Sequence, residues 1–239
     1  MSTLFTFGCS YTAEYKNNHL VPAYVDYKKF KGGKFPLTWV EVLSNKLNIP
    51  FINYGVGGRG NDLIFQMLCE HINEIKRGDV VIIQWTYMHR YMWVRYQRNE
   101  WEHFGAGPLN GADGITESTH EEICYNRIHP LYVQQIYERM KLIDTLSKSI
   151  GFDLYYWSGD CKIISPIDSE NRKDKKFLMT NYIMKSSQTP FDKVFELGGE
   201  TIKKETNGLI DDLHFGESAH KIMGDLFYDH IKNYDSKII

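Results

Sequence analysis

Short apolar runs alternate along this chain with longer stretches in which apolar residues recur every three or four positions. Leu4 to Phe7 reads as a first strand. From Pro36, a residue suited to a first helical turn, Trp39, Val40, Leu43 and Leu47 fall on one helical face. Phe51 to Tyr54 is a second short strand. It runs into Gly55-Val56-Gly57-Gly58-Arg59-Gly60, and Asn61 is expected to cap the next helix. That helix carries Ile64, Met67, Leu68, Ile72 and Ile75 on one side. Gly78-Asp79 turns the chain into Val80 to Trp85, an apolar run of the kind found in central parallel strands. A long helix from Pro130 to Ile150 turns Val133, Ile136, Met140, Ile143 and Leu146 inward, and Leu154 to Trp157 is the fourth core strand. The last helix, from Glu217 to Lys232, aligns Ala219, Ile222, Met223, Leu226, Phe227 and His230.

Three stretches break this rhythm. Residues 13–35 read as a long Tyr- and Lys-rich connection. Residues 87–128 read as an insertion rich in Tyr, Trp and Gly. Residues 158–210 are polar and irregular, with a charged run from Asp168 to Lys176. The alternation of strand and helix predicts an α/β protein. The expected architecture is a three-layer α/β/α sandwich on a flavodoxin-like, doubly wound parallel sheet, formed by one domain over 1–239. Such sheets bind ligands beyond the carboxyl ends of their strands. Ser10, Gly58 and Thr86 each follow a strand, and His214 precedes the last helix, so all four are expected on one rim.

Bulk properties narrow the partners. A net charge of -2 gives no electrostatic reason to bind nucleic acid. The longest aliphatic run, Val80 to Ile83, is too short to span a bilayer, so no membrane partner is expected. Cys9, Cys69, Cys124 and Cys161 form no CxxC pair and match no zinc spacing. They suggest a reduced, cytoplasmically made protein. No clustered ligand set appears in the sequence, so no metal is expected, and no cofactor is expected either. Phe5 already lies in a strand, so no signal peptide is expected.

Two segments carry the chemistry. Gly8-Cys9-Ser10-Tyr11-Thr12 offers a hydroxyl just past a strand; by itself it is also what a helix-capping turn looks like. Asp211-Asp212-Leu213-His214 puts a carboxylate three residues before an imidazole, which would let Asp211 fix the ring's tautomer. His220 is expected to be structural. The glycines after Asn53 and Tyr54 suit either a phosphate cradle or an N–H aimed at an oxyanion.

Taken together these segments resemble the SGNH, or GDSL-like, hydrolase family. Gly8-Cys9-Ser10-Tyr11-Thr12 is similar to its first block, Asn53 with Gly58 to its second, and Asp211, Leu213, His214 and His220 to its last. The resemblance implies Ser10 as nucleophile, His214 as general base and Asp211 as the residue orienting it. It implies an oxyanion hole built from the backbone N–H groups of Ser10 and Gly58. The family's third block carries an Asn donor where this chain has Gln84-Trp85-Thr86-Tyr87, so Thr86 and Asn61 are the two candidates to replace it. Cys9 stands where the family has an acid. The Trp85-Thr86-x-x-x-Arg90 pattern resembles a divergent subset associated with tailed phages, which would place the protein in a virion or virion assembly.

The function expected from this is a serine esterase. Its substrate would be a small ester or an acylated carbohydrate, with a carbohydrate O-acetyl ester preferred, because aromatics from Tyr87 to Phe104 overhang the rim. Tyr87 and Arg90 are the expected substrate contacts. A homo-oligomer is compatible with the same aromatics. The alternative is a non-catalytic binding or structural protein on a degenerate scaffold of this type. A nucleotide-binding flavodoxin-like domain would leave Asp211 and His214 without a role.

Overall fold

A computed structural model describes residues 2–18, 21–86, 92–95, 100–103, 129–158 and 189–235. Four parallel strands form the main sheet: β1 (Leu4–Phe7), β2 (Phe51–Asn53), β3 (Val80–Trp85) and, after a β4–β5 hairpin (Met92–Arg95 and Glu100–His103), β6 (Asp153–Ser158). Their order is β2-β1-β3-β6. Leu4 pairs with both Phe51 and Val80, and Val80 pairs with Asp153, so the strands start level, while β3 and β6 continue beyond the end of β1 to the Trp85–Ser158 pair. The ladder runs one residue past β2, where the Tyr54 N–H donates to the Thr6 carbonyl at 2.8 Å.

The helices are α1 (Pro22–Phe30), α2 (Trp39–Leu47), α3 (Asn61–His71), α4 (His129–Ile150), α5 (Pro190–Glu196), α6 (Ile202–Glu205) and α7 (Glu217–Asp235). Strand side chains alternate between two apolar clusters, as the period-2 pleat requires. Phe5, Phe7, Val81, Ile83, Trp85 and Tyr156 meet Ile64 and Leu68 of α3 and Ile136, Met140 and Ile143 of α4. Leu4, Val80, Ile82, Tyr155 and Trp157 meet Trp39 and Leu43 of α2, Val194 of α5 and Met223 and Phe227 of α7. Among the described residues, no helix is long and apolar enough to cross a membrane.

Two irregular stretches turn out to contain helices. Residues 13–35 hold α1, whose inward face is Tyr24 and Tyr27 rather than aliphatic, so it lacks the usual apolar stripe. Residues 158–210 hold α5 and α6. The α5 start was legible, because Thr189-Pro190-x-Asp192 is a capping box with Pro in the first turn. Asn61 is not an N-cap: Gly60 takes that place, and Asn61 is the first residue of α3. The run from Asp168 to Lys176, most of the 87–128 insertion, and Cys124 and Cys161 lie outside the described residues.

His220 joins α7 to α2. It is buried, and its Nδ1 accepts the Trp39 backbone N–H at 3.1 Å, satisfying a donor in the first turn of α2. Its ring stands edge-on to Tyr15 and Phe215. Burial pushes the imidazole down to about 3 from its ordinary 6.5. The folded state therefore favours neutral His220. Stability from this group is complete above 6.5 and is lost as pH falls toward 3. The His220 term should lower unfolding free energy by about 2 kcal/mol between pH 7 and pH 5. Urea midpoints at the two pH values check this. H220N, which keeps an acceptor for Trp39, should show a smaller difference than wild type.

Candidate active site

Ser10 sits at the tip of the turn that follows β1. The Cys9 carbonyl closes that turn by accepting from the N–H groups of Thr12 at 2.9 Å and Ala13 at 3.0 Å. The turn is held from three further directions. Asn53 at the end of β2 donates through Nδ2 to the Thr12 carbonyl at 2.7 Å, while its Oδ1 accepts the Gly55 N–H at 2.8 Å. The Trp39 indole N–H donates to the Tyr11 carbonyl at 2.8 Å. The Tyr15 hydroxyl donates to the Phe215 carbonyl at 2.7 Å, tying the Ser10 turn to the segment that carries His214. Gly55 passes so close to this turn that a Cβ there would lie 2.6 Å from the Ala13 nitrogen, so no larger residue fits without a shift.

His214 lies on an irregular segment pinned at both ends. Its carbonyl accepts the Ile202 N–H at 2.9 Å, the Asp212 carbonyl accepts the Lys203 N–H at 2.8 Å, and Gly216 donates to the Glu200 carbonyl at 2.9 Å. Glu205 braces the start of α7. Its carboxylate accepts from the Ser218 N–H and Oγ at 2.7 Å each and from the Tyr27 hydroxyl at 2.5 Å, and it pairs with Lys31 at 3.1 Å. Burial opposes this charge, but those hydrogen bonds hold the carboxyl at about 2. A helix N-terminus favours an anion in the same way.

The two segments meet. His214 Nε2 lies 2.9 Å from Ser10 Oγ, across 204 positions of sequence. His214 Nδ1 lies 2.8 Å from Asp212 Oδ1, which also accepts the His214 backbone N–H at 2.7 Å. Burial works to raise the Asp212 carboxyl, yet the two hydrogen bonds from His214 outweigh it and hold it below the usual range. An ionised carboxylate only accepts, so the proton of the neutral ring sits on Nδ1 and Nε2 presents a lone pair to Ser10. Tyr11 and Tyr24 flank the ring, at 5.0 and 5.9 Å between centroids. Burial and the nearby Asp212 charge push the Tyr24 phenol well up, so it stays neutral.

The carboxylate beside His214 is therefore Asp212, not Asp211. Asp211 is 80 % exposed and pairs with Lys203 at 2.7 Å. The reason is local. Residues three apart share a face only on a helix, and this segment precedes α7. Here Asp212 Oδ1 accepts the His214 backbone N–H two positions on, a local turn that sets this carboxylate beside the ring, while Asp211 pairs with Lys203 and Leu213 is exposed. Leu213 accordingly lines a separate cavity of about 620 Å³ with Phe195, Thr201 and Lys204, and neither Ser10 nor His214 reaches that cavity. An Asp two residues before the His was the available signal, since such a carboxylate takes the N–H two positions on.

The oxyanion candidates are placed differently from one another. Gly58 is exposed on the loop whose Val56 N–H donates to the Gly8 carbonyl at 3.0 Å. Asn61 is buried and spends its amide on the Thr86 backbone, with Oδ1 accepting the Thr86 N–H at 2.7 Å and Nδ2 donating to the Thr86 carbonyl at 3.1 Å. That pairing fixes the exit of β3 and commits the Thr86 backbone N–H. Tyr87 and Arg90 lie outside the described residues. Among the described residues, no cluster of three or more His, Cys, Asp or Glu side chains is arranged to hold a metal.

No family model matches this sequence, and no curated protein matches it. Among solved structures, the chain is similar to one from Desulfitobacterium hafniense DCB-2 described as a candidate lipolytic protein of the G-D-S-L family. The identity is 11%, the TM-score is 0.39, and the match covers 96% of this chain and 99% of that one. A likeness this distant says nothing of activity.

The Asp212 assignment has a direct spectroscopic consequence. The Nδ1 proton of His214 should appear far downfield in the proton NMR spectrum of wild type and D211N, and be lost or shifted strongly upfield in D212N. An unchanged signal in D212N would reverse the assignment.

Proposed function

We propose that this chain is a serine esterase of the SGNH type, with Ser10 as nucleophile, His214 as general base and Asp212 as the residue that orients it. The observation that carries the reading is the unbroken hydrogen-bonded chain from Ser10 Oγ through both ring nitrogens to Asp212. Such a chain activates a hydroxyl that is otherwise a poor nucleophile. Ser10 Oγ attacks the ester carbonyl carbon as its proton passes to Nε2. The tetrahedral intermediate then collapses, and the departing alcohol takes that proton, leaving acyl-Ser10. Water attacks next, again losing a proton to Nε2. The carboxylic acid leaves as Nε2 returns the proton to Ser10 Oγ.

The backbone N–H groups of Ser10 and Gly58 hold the oxyanion, with the Thr86 hydroxyl as the third donor. Asn61 serves instead to hold Thr86, because its amide is engaged on that residue's backbone. The substrate class is an acylated carbohydrate, supported by the aromatic run from Tyr87 to Phe104 in the sequence. The architecture goes with this reading: a three-layer α/β/α sandwich, supported by apolar clusters that contain residues from both faces of the sheet.

A second reading, a binding or structural protein on a retired hydrolase scaffold, is favoured by the absence of an Asn after β3 and by the commitment of Asn61 elsewhere. A fluorophosphonate probe separates the two. Under the esterase reading it labels Ser10 and nothing in S10A; folded wild type that stays unlabelled supports the second reading. On a chromogenic short-chain ester, D212N should lower turnover by about three to four powers of ten, while D211N should stay close to wild type.

A further inference from the structure

Strand β3 reads Val-Val-Ile-Ile-Gln-Trp and is buried along its whole length. Gln84 is the one polar side chain in that run, on the same side of the pleat as Val80 and Ile82. A buried amide in a central strand loses stability unless its polar atoms are matched, so its presence calls for a cause. The cause lies at the Ser10 turn. Gln84 Oε1 accepts the Cys9 backbone N–H at 3.1 Å and the Thr12 hydroxyl at 2.7 Å. Both donors belong to the five residues that carry Ser10, one just before it and one two positions after. Because both are donors to one atom, that atom must be the amide oxygen.

Gly8 completes the arrangement. A Cβ at Gly8 would lie 2.7 Å from Gln84 Oε1 and would collide with the Thr12 side chain. Only glycine at position 8 leaves room for the Gln84 amide and the Thr12 side chain to meet there. The Cys9 N–H, the Thr12 hydroxyl and the Gln84 amide form one polar knot at the Ser10 turn.

We infer that Gln84 is a positioning residue that sets the Ser10 turn, holding the hydroxyl where His214 Nε2 can reach it. This rests on the esterase reading of Ser10. The bonds to Asn53, Trp39 and Tyr15 fix the turn at Tyr11, Thr12 and beyond. Gln84 holds the Cys9 N–H while the Val56 N–H holds the Gly8 carbonyl of the same peptide group, so Gln84 helps to set the angle at which Ser10 leaves the strand. A displacement of about 1 Å at a reacting atom costs on the order of a hundredfold in rate.

The test uses Q84M, which keeps the length of the side chain and removes the acceptor, together with T12V and T12S. Two quantities are read: the rate of fluorophosphonate labelling at Ser10, and hydrogen exchange at the Cys9 amide compared with Val81 to Ile83. Q84M is expected to label about a hundredfold more slowly at saturating probe, with faster exchange at Cys9 and unchanged protection in β3. T12V should slow labelling less, T12S should restore it, and T12V should add little on top of Q84M. Wild-type labelling in folded Q84M, or a Cys9 amide as protected as before, overturns the inference. If Q84M fails to fold, the decision falls to the Thr12 pair, and equal labelling of T12V and T12S overturns it. If wild type is unlabelled while Q84M loosens Cys9, the esterase reading fails and the hold on the turn stands.

Discussion

The site depends on one hydrogen bond between residues at opposite ends of the chain, from Ser10 Oγ to His214 Nε2. Neither side chain reaches the other through local structure. Each is delivered by a short irregular segment, and such segments keep a fixed geometry only when their backbone groups are matched. Most of the polar contacts around the site have that purpose. Asn53, Trp39 and Gln84 hold the turn after β1, and Ile202, Lys203 and Glu200 hold the segment before α7. Tyr15 joins the two directly through the Phe215 carbonyl.

The electrostatics follow from the same arrangement. Asp212 is partly buried, yet it stays charged because both His214 N–H groups point at it. That charge sets the tautomer that leaves Nε2 free to take a proton. Glu205 does comparable work at the start of α7, as a partly buried anion matched by Tyr27, Ser218 and Lys31. His220 takes the opposite course and remains neutral, serving as an acceptor for α2.

How much of this was legible in the sequence depends on the range of the signal. The four core strands, the glycine-led Ser10 turn and the apolar face of α7 are written in local periodicity, and each appears where the pattern puts it. Helix α1 was hidden because its buried face is made of Tyr24 and Tyr27, which a search for aliphatic stripes passes over. The choice between Asp211 and Asp212 turned on backbone conformation: a spacing of three suits a helix, and the segment is not one. The engagement of Asn61 with Thr86, and of Gln84 with Cys9 and Thr12, joins strand ends that are distant in sequence, and only the assembled sheet reveals it. A Gln inside an otherwise apolar strand was nevertheless a visible irregularity.

The most direct test of the account is to react the protein with p-nitrophenyl acetate, quench in acid and determine the mass of the peptide containing Ser10. The account predicts that this peptide gains the mass of one acetyl group in wild type and not in H214A, with H214A still folded. Acetyl release without any modified Ser10, or equal modification of Ser10 in H214A, would contradict it.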